Sequence, residues 1–442
     1  MSARILTRLG AAARRLVRDR RGNVAIVAAM ALPAMMGSFG VGTEVASWYA
    51  NQRAMQNAAD TAALAAASNA SATYGSEAKA VAAQYGYADG QNGVTVAVSN
   101  TATCPAGGAT CYSVTITKSQ ALILAQFVGY GGDTTLGGSP AKRLQAVAIA
   151  TQGVVQRPYC MVALGQSGTT LRTNGAPKAD LSGCNIMSNG DATCNGHNLG
   201  ADVGDAHGTN SGCGVKQDSN QPLMADPFAS LASNIPADPC GGAYPQEPAK
   251  KGTPLPPQNL FAGPYSWGAV KTVCGDMELT ADTTISNSAG PTLLVIYNGS
   301  LDTNGFTLST AAGAGLTIVF TGSNAFNHIP TGGGGFDIAA PTSGTWSGIA
   351  MYQNPALTSG VNVSAAGNSP TWNITGMVYL PHSSVTFSGA VNKASNGLSC
   401  FALMADNVTI NGTGSILAHG QCAAAGLTLP SNPIPGRGRL VS

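Results

Sequence analysis

"RRGNVAIVAAMALPAMMGSFGVGTEVASWY", residues 20–49, opens on two arginines, runs without a charge from Gly22 to Thr43, and closes on Glu44 followed by Trp48-Tyr49. At 1.5 Å per helical residue the uncharged run would measure roughly 30 Å, enough to cross a bilayer's hydrocarbon core. The reading is a transmembrane helix over 22–43. Residues 1–21 hold seven arginines against the single acid Asp19, so this end is expected in the cytoplasm and everything after Glu44 on the far side. A cleaved secretory signal would end its apolar region at a small-x-small site. "ALPAMMGS" contains small residues, but the run continues through Phe39-Gly40-Val41-Gly42, which favours a retained anchor. Pro33 would kink the helix, and Gly37, Gly40 and Gly42 leave a flat strip against which another helix could pack.

Beyond the anchor, Val41, Val45, Trp48, Met55 and Ala59 keep helical spacing into an alanine-rich stretch, so one long helix is expected to leave the bilayer. Its ordered motifs are Arg21-Gly22-Asn23, then Glu44, Trp48-Tyr49 and "MQNAADTAALAAA" at 55–67, which holds Gln56, Asn57, Ala58, Ala59, Asp60, Ala63 and Leu64. Over about residues 18–68 the set resembles the N-terminal domain of the TadE/TadG-like proteins of the Tad (Flp) pilus-assembly machinery. That resemblance implies a bacterial single-pass inner-membrane protein, N-terminus cytoplasmic and bulk periplasmic or beyond, which helps assemble or anchor adhesive pili through other pilus-assembly proteins. A prepilin leader would place glutamate five residues after its cleavage glycine; counted from Gly22 that position is Val27, so the anchor is expected to stay uncleaved. The alanine stripe from Ala54 to Ala67 is expected to pack against helices of partner subunits.

The chain of 442 residues is 44 % apolar and only 10 % charged, a balance suited to two or three exported domains. Beyond residue 21, fifteen basic and nineteen acidic side chains remain, so the body has no basic face for nucleic acid. The long helix should run, with a break near Tyr74-Gly75, to Tyr87. "VTVAVSN" (94–100) and "CYSVTITK" (111–118) alternate as a hairpin, "QALILAQFVGYGG" (120–132) suits a short helix, and "KRLQAVAIATQ" (142–152) suits a third strand. From about Tyr159 the pattern becomes β-type. "LLVIYNGSLDTNG" (293–305), "LTIVFTGSN" (316–324), "WSGIAMYQNPALTSG" (346–360), "ITGMVYLPHSSVTFSG" (374–389) and "CFALMADNVTINGTG" (400–414) echo one another, which favours a β-solenoid, right-handed β-helix-like, over a β-sandwich.

The fold class is therefore α+β and membrane-anchored. The expected parts are a basic N-terminus 1–21, a transmembrane helix 22–43, a periplasmic helix with a small α/β module 44–153, a β-rich domain 158–428 with a proline-rich segment 221–258 that is either an extended linker or an arm draped over it, and a flexible tail 429–442.

Ten cysteines in an exported chain read as disulfides, with Cys104–Cys111 and Cys400–Cys422 the first candidates and neighbours pairing among Cys160, Cys184, Cys194, Cys213, Cys240 and Cys274. Cys194, His197, His207 and Cys213 could hold zinc, and Asp191, Asp202 and Asp205 could hold calcium, but oxidised thiols and turn-capping aspartates are the commoner fates. No cofactor, metal or catalytic residue is expected. After Asp282 only Asp302, Asp337 and Asp406 remain as acids, and His328, His382 and His419 are isolated. A glycan-binding envelope adhesin is the alternative, on the strength of amide- and hydroxyl-rich turns; a carbohydrate-active enzyme ranks below it.

Overall fold

The structure is a computed structural model and describes residues 23–105, 110–248, 254–287, 290–364, 371–388, 400–412, 415–417 and 422–441. The chain divides into two units, 1–155 with 435–442, and 156–434.

In the first unit a helix runs unbroken from Asn23 to Asn69 through Pro33. It ends where Ala70 turns left-handed (φ 45°) and donates to Ala66 O at 3.1 Å. Glu77 accepts from Asn69 Nδ2 and Thr73 Oγ1, both at 2.8 Å, and so ties this turn to the second helix, Tyr74–Gln84.

Strands β1 (Val94–Ala102), β2 (Cys111–Ala121), β3 (Thr134–Leu136) and β4 (Ser139–Pro158) follow. β1 pairs antiparallel with β2, Val94 opposite Lys118, and β2 with β4, Cys111 opposite Thr151 through Ala121 opposite Ala141. Alternate positions of β1 and β2, Val94, Val96, Val114 and Ile116 among them, face a core that includes Met55 and six alanines of the long helix, Ala58, Ala59, Ala62, Ala63, Ala66 and Ala67. All seven of those helix residues are fully buried. The alanine stripe is thus used within the chain: side chains this small let a helix lie flat on a sheet, and the surface expected to meet partner helices is taken up by β1, β2 and β4.

The expectation of a flexible tail at 429–442 is corrected. Ser431–Leu440 is a strand on the outer side of β4, with Asn432 and Ile434 buried. An edge strand tolerates the prolines that made the segment look irregular. Its close approach uses glycines: a Cβ on Gly153 would lie 2.4 Å from Arg437 O, and one on Gly438 would lie 2.8 Å from Leu64 O.

The second unit is built of short strands, all of whose pairings among the described residues are parallel. One row runs Val270–Cys274, Thr292–Tyr297, Leu316–Thr321, Ile349–Gln353, then the middle of Thr371–Phe387 and the start of Phe401–Asn411. Leu403 then sits opposite Met161, so the row continues into Met161–Ala163, Asn185–Ser188, Val203–Ala206 and Lys216–Asp218. The strands that come first in sequence therefore extend the row from the strand that comes last. Thr292–Tyr297 and Leu316–Thr321 are buried at every position, which is why they read as continuous apolar runs instead of alternating ones.

One face of this row looks into a core with Leu294, Ile318, Phe320 and Leu403; the other carries Val295, Tyr297, Tyr352, Tyr379 and Met404. The proline-rich segment covers that second face. The chain leaves the row at Asp218 and must restart it at Val270, and the intervening segment runs back along it. Asn189 exchanges two hydrogen bonds with the Met224 backbone (2.8 and 2.9 Å). Tyr379 donates to Asp226 at 2.7 Å, Tyr352 to Phe228 O at 3.0 Å, and Tyr297 to Pro236 O. Cys240 is bonded to Cys274, and Asp276 N donates to Pro245 O at 2.8 Å. These three tyrosine hydroxyls find their partners on the strap, as burial of a polar group requires.

Candidate functional site

Glu44 lies one residue beyond the uncharged run and is only 7 % exposed. Its carboxylate accepts three backbone N–H groups, from Ile123 and Leu124 at 2.8 Å and from Ala125 at 2.6 Å. These amides open the short 3-10 turn Ala125–Val128, whose first donors have no partner inside the turn. Burial works against the charge, yet the three N–H bonds from Ile123, Ala125 and Leu124 outweigh it and hold the carboxyl below the usual glutamate range. Glu44 is therefore a clamp that fastens the loop between β2 and β3 to the long helix.

Further contacts align the helix along the sheet. The Trp48 and Tyr130 rings lie 5.8 Å apart. Asn51 Nδ2 donates to Gln120 Oε1 at 3.2 Å, Gln52 donates to Gln145 O, and Gln56 Nε2 donates to Val147 O at 2.9 Å and to Asp60 Oδ1 at 2.8 Å. Of the motif residues named from sequence, Glu44, Trp48, Gln56, Asp60 and Leu64 thus belong to the packed side of the helix with Ala58, Ala59 and Ala63, while Tyr49 is 69 % exposed and Asn57 faces solvent. Arg21 and Gly22 lie outside the described residues; Asn23 is the first helical residue.

The N-terminal half of the helix is different. Val27, Met30, Leu32, Met35, Met36 and Phe39 are all exposed, Met30 by 76 % and Phe39 by 79 %. At about 100° per residue they spread over most of the helix circumference, a pattern for an apolar environment on several sides. Two glycines of the strip face the chain's own loop: a Cβ at Gly37 would lie 3.6 Å from Val128 Cγ1, and one at Gly40 would lie 3.4 Å from Leu124, whereas one at Gly42 would meet nothing within 4 Å. Among the described residues no helix is long and apolar enough to cross a membrane. Pro33, Gly37, Ser38, Gly40 and Gly42 dilute the apolar run, so the span assigned to 22–43 is not carried by the described helix alone.

In the second unit the sequence candidates serve the framework. Disulfides join Cys160–Cys184, Cys194–Cys213, Cys240–Cys274 and Cys400–Cys422; Cys104–Cys111 lies in the first unit. With Cys194 and Cys213 bonded to each other, the four-ligand zinc set does not exist, and among the described residues no three His, Cys, Asp or Glu side chains are placed to share a metal ion. The three aspartates considered for calcium go separate ways. Asp191 accepts from Thr209 N at 2.7 Å, Asp202 from Gly183 N at 3.1 Å, and Asp205 is fully buried. Asp205 takes Arg157 at 2.5 and 2.7 Å and the Tyr159 hydroxyl at 2.6 Å; burial first, then this bond to a carboxylate, pushes the phenol well above its ordinary range.

One constellation escaped sequence reasoning. Glu278 and Asp302 stand opposite each other on adjacent parallel strands, and the strap brings Glu247 to them. Burial and the charge of Asp302, with smaller contributions from Glu278 and Asp276, push Glu247 up to about 7. Glu278 is raised by burial and by Asp302. Only the return path of the strap creates this group, so no local spacing could have announced it.

No curated protein and no solved structure matches the chain. Residues 22–69, which take in the whole of the long helix with the Glu44 clamp and the alanine stripe, match the family model described as "Putative Flp pilus-assembly TadE/G-like" and mark this stretch as a Tad-type domain.

Proposed function

We propose that the chain is an envelope-anchored structural component of a Tad (Flp) type adhesive pilus, acting through protein–protein contacts without catalysis. The observation that carries this reading is the coincidence of the family match with the helix 23–69. The second half of that helix is consumed by its own sheet, while the first half offers large apolar side chains over most of its circumference. In this reading residues 22–43 sit in the inner membrane behind the seven cytoplasmic arginines, and both folded units lie on the periplasmic side, where five disulfides form. The parallel registers of the second unit favour stacked solenoid coils over a sandwich, with the strap closing one face. Deleting the gene should abolish pili in electron micrographs of the host, and the full chain should restore them. Unchanged piliation in the deletion strain would overturn the reading.

A second reading rests on the Glu247, Glu278 and Asp302 group: a carboxyl raised to about 7 beside two further carboxyl groups is what a general acid in glycoside chemistry needs. It predicts polysaccharide turnover that Glu278→Gln abolishes. Saturable glycan binding without turnover would instead favour the adhesin alternative.

A further inference from the structure

We propose that the loop Leu122–Gly132 is a second lipid-contacting element, folded by Glu44 onto the long helix so that Ile123, Phe127 and Val128 enter the membrane surface beside it. The inference rests on the anchoring read above and adds to it a specific place where the folded domain meets the bilayer.

Three observations support it. First, the loop holds no charged residue, and three of its large side chains face outward, Phe127 being 86 % exposed, Ile123 71 % and Val128 55 %, while Leu122 is buried. Loops that face water are built from polar and turn-forming residues. Second, the loop lies against Gly37 and Gly40 of the helix, so its apolar surface is continuous with exposed Met36 and Phe39. At 1.5 Å per residue those glycines lie roughly 5–9 Å inside Thr43, the depth to which interfacial elements sink below the headgroups.

Third, Glu44 is the sole charged residue between Arg21 and Arg53, and it is buried under three N–H groups of this loop. The pairing removes two obstacles to immersion at once. The carboxylate is solvated by the protein, and three loop amides that lipid could not satisfy have their acceptor. A protein partner seated on one face would leave the rest of the apolar circumference bare, whereas lipid covers helix and loop together.

The test uses the full chain reconstituted in phosphatidylcholine–phosphatidylglycerol vesicles whose acyl chains are brominated, a quencher of tryptophan within the bilayer. Three single substitutions report: Phe127→Trp on the loop, Met30→Trp on the helix, and Val215→Trp on the surface of the second unit. With native tryptophan emission subtracted, Phe127→Trp and Met30→Trp should be blue-shifted and lose about half or more of their signal to bromolipid, and Val215→Trp should lose none. Adding Glu44→Ala should release the Phe127→Trp reporter from quenching while the Met30→Trp reporter stays quenched. The proposal is overturned if Phe127→Trp emits as in water and resists bromolipid while Met30→Trp is quenched. It is overturned equally if Phe127→Trp becomes shielded only when solubilised membrane proteins are added, which would make the loop a protein-docking site. Failure of Met30→Trp itself to be quenched would instead refute the anchoring.

Discussion

Glu44→Ala tests the clamp with a magnitude the geometry supplies. The substitution leaves the amides of Ile123, Leu124 and Ala125 without their acceptor. Hydrogen bonds to a charged group contribute about 1.5–3 kcal/mol each. Once the loop is released in the variant, water can replace the carboxylate at Ile123 and Leu124, whose bonds are part-buried, whereas the Ala125 bond is buried and its amide is not so easily rehydrated. The loop should therefore lose about 2–4 kcal/mol of docking free energy, most of it at Ala125.

Hydrogen–deuterium exchange on the full chain reads this directly. The three amides should exchange roughly 30- to 1000-fold faster in the variant, while the β2–β4 ladder amides stay protected, because the opening is local. The pH dependence follows from the sign of the shift. Glu44 is held below the ordinary glutamate pKa, so the clamp is at full strength above that value and is lost as pH falls through the lower, folded one. Unchanged exchange at Ile123, Leu124 and Ala125 in the variant would refute the clamp; loss of protection across the whole sheet would show that Glu44 supports the fold globally and not just the loop.

Three further outcomes are expected. Ala62→Leu adds bulk where the helix lies fully buried on the sheet and should cost about 1–3 kcal/mol in chemical denaturation of the first unit, while Asn57→Leu on the exposed face should change little. Asp205→Asn leaves the Arg157 guanidinium short of its buried counter-charge and should destabilise the second unit by about 3–5 kcal/mol, seen as a lower midpoint in denaturant. Glu247 is raised to about 7, so its contribution is complete below the ordinary glutamate pKa and fades as pH rises through 7. Because that side chain is partly open to solvent the change should be only about 1 kcal/mol, and Glu247→Gln should flatten this part of the stability–pH profile; a profile identical in both proteins would contradict it.

Several elements were legible in the sequence because their signal is local. The hairpin of β1 and β2 alternates, and the buried row strands are unbroken apolar runs such as "LLVIY" and "LTIVF" bounded by glycine and asparagine. The proline-rich segment announced by composition an extended linker or arm, without saying which. What escaped depends on contacts distant in sequence. Leu403 opposite Met161 joins two ends of a unit separated by more than two hundred residues, and no repeat period encodes that. The alanine stripe gave the correct buried face but not its occupant, since a helix stripe of small residues suits a sheet and a partner helix equally. Glu44 read as the acidic end of an apolar run; its role needs the backbone of a loop about eighty residues later. The last strand looked like a tail because Pro433 and Pro435 disfavour interior strands, and the edge of β4 is where that objection lapses.

The central proposal is that the arginine-flanked apolar half of the long helix holds the chain in the inner membrane with both folded units outside. The most direct measurement is protease treatment of intact spheroplasts carrying the full chain with one epitope at each end. The account predicts that the C-terminal epitope is removed, while the N-terminal epitope stays with the membrane through an alkaline carbonate wash. A C-terminal epitope that survives until the spheroplasts are lysed, or an N-terminal epitope washed from the membrane by carbonate, would contradict it.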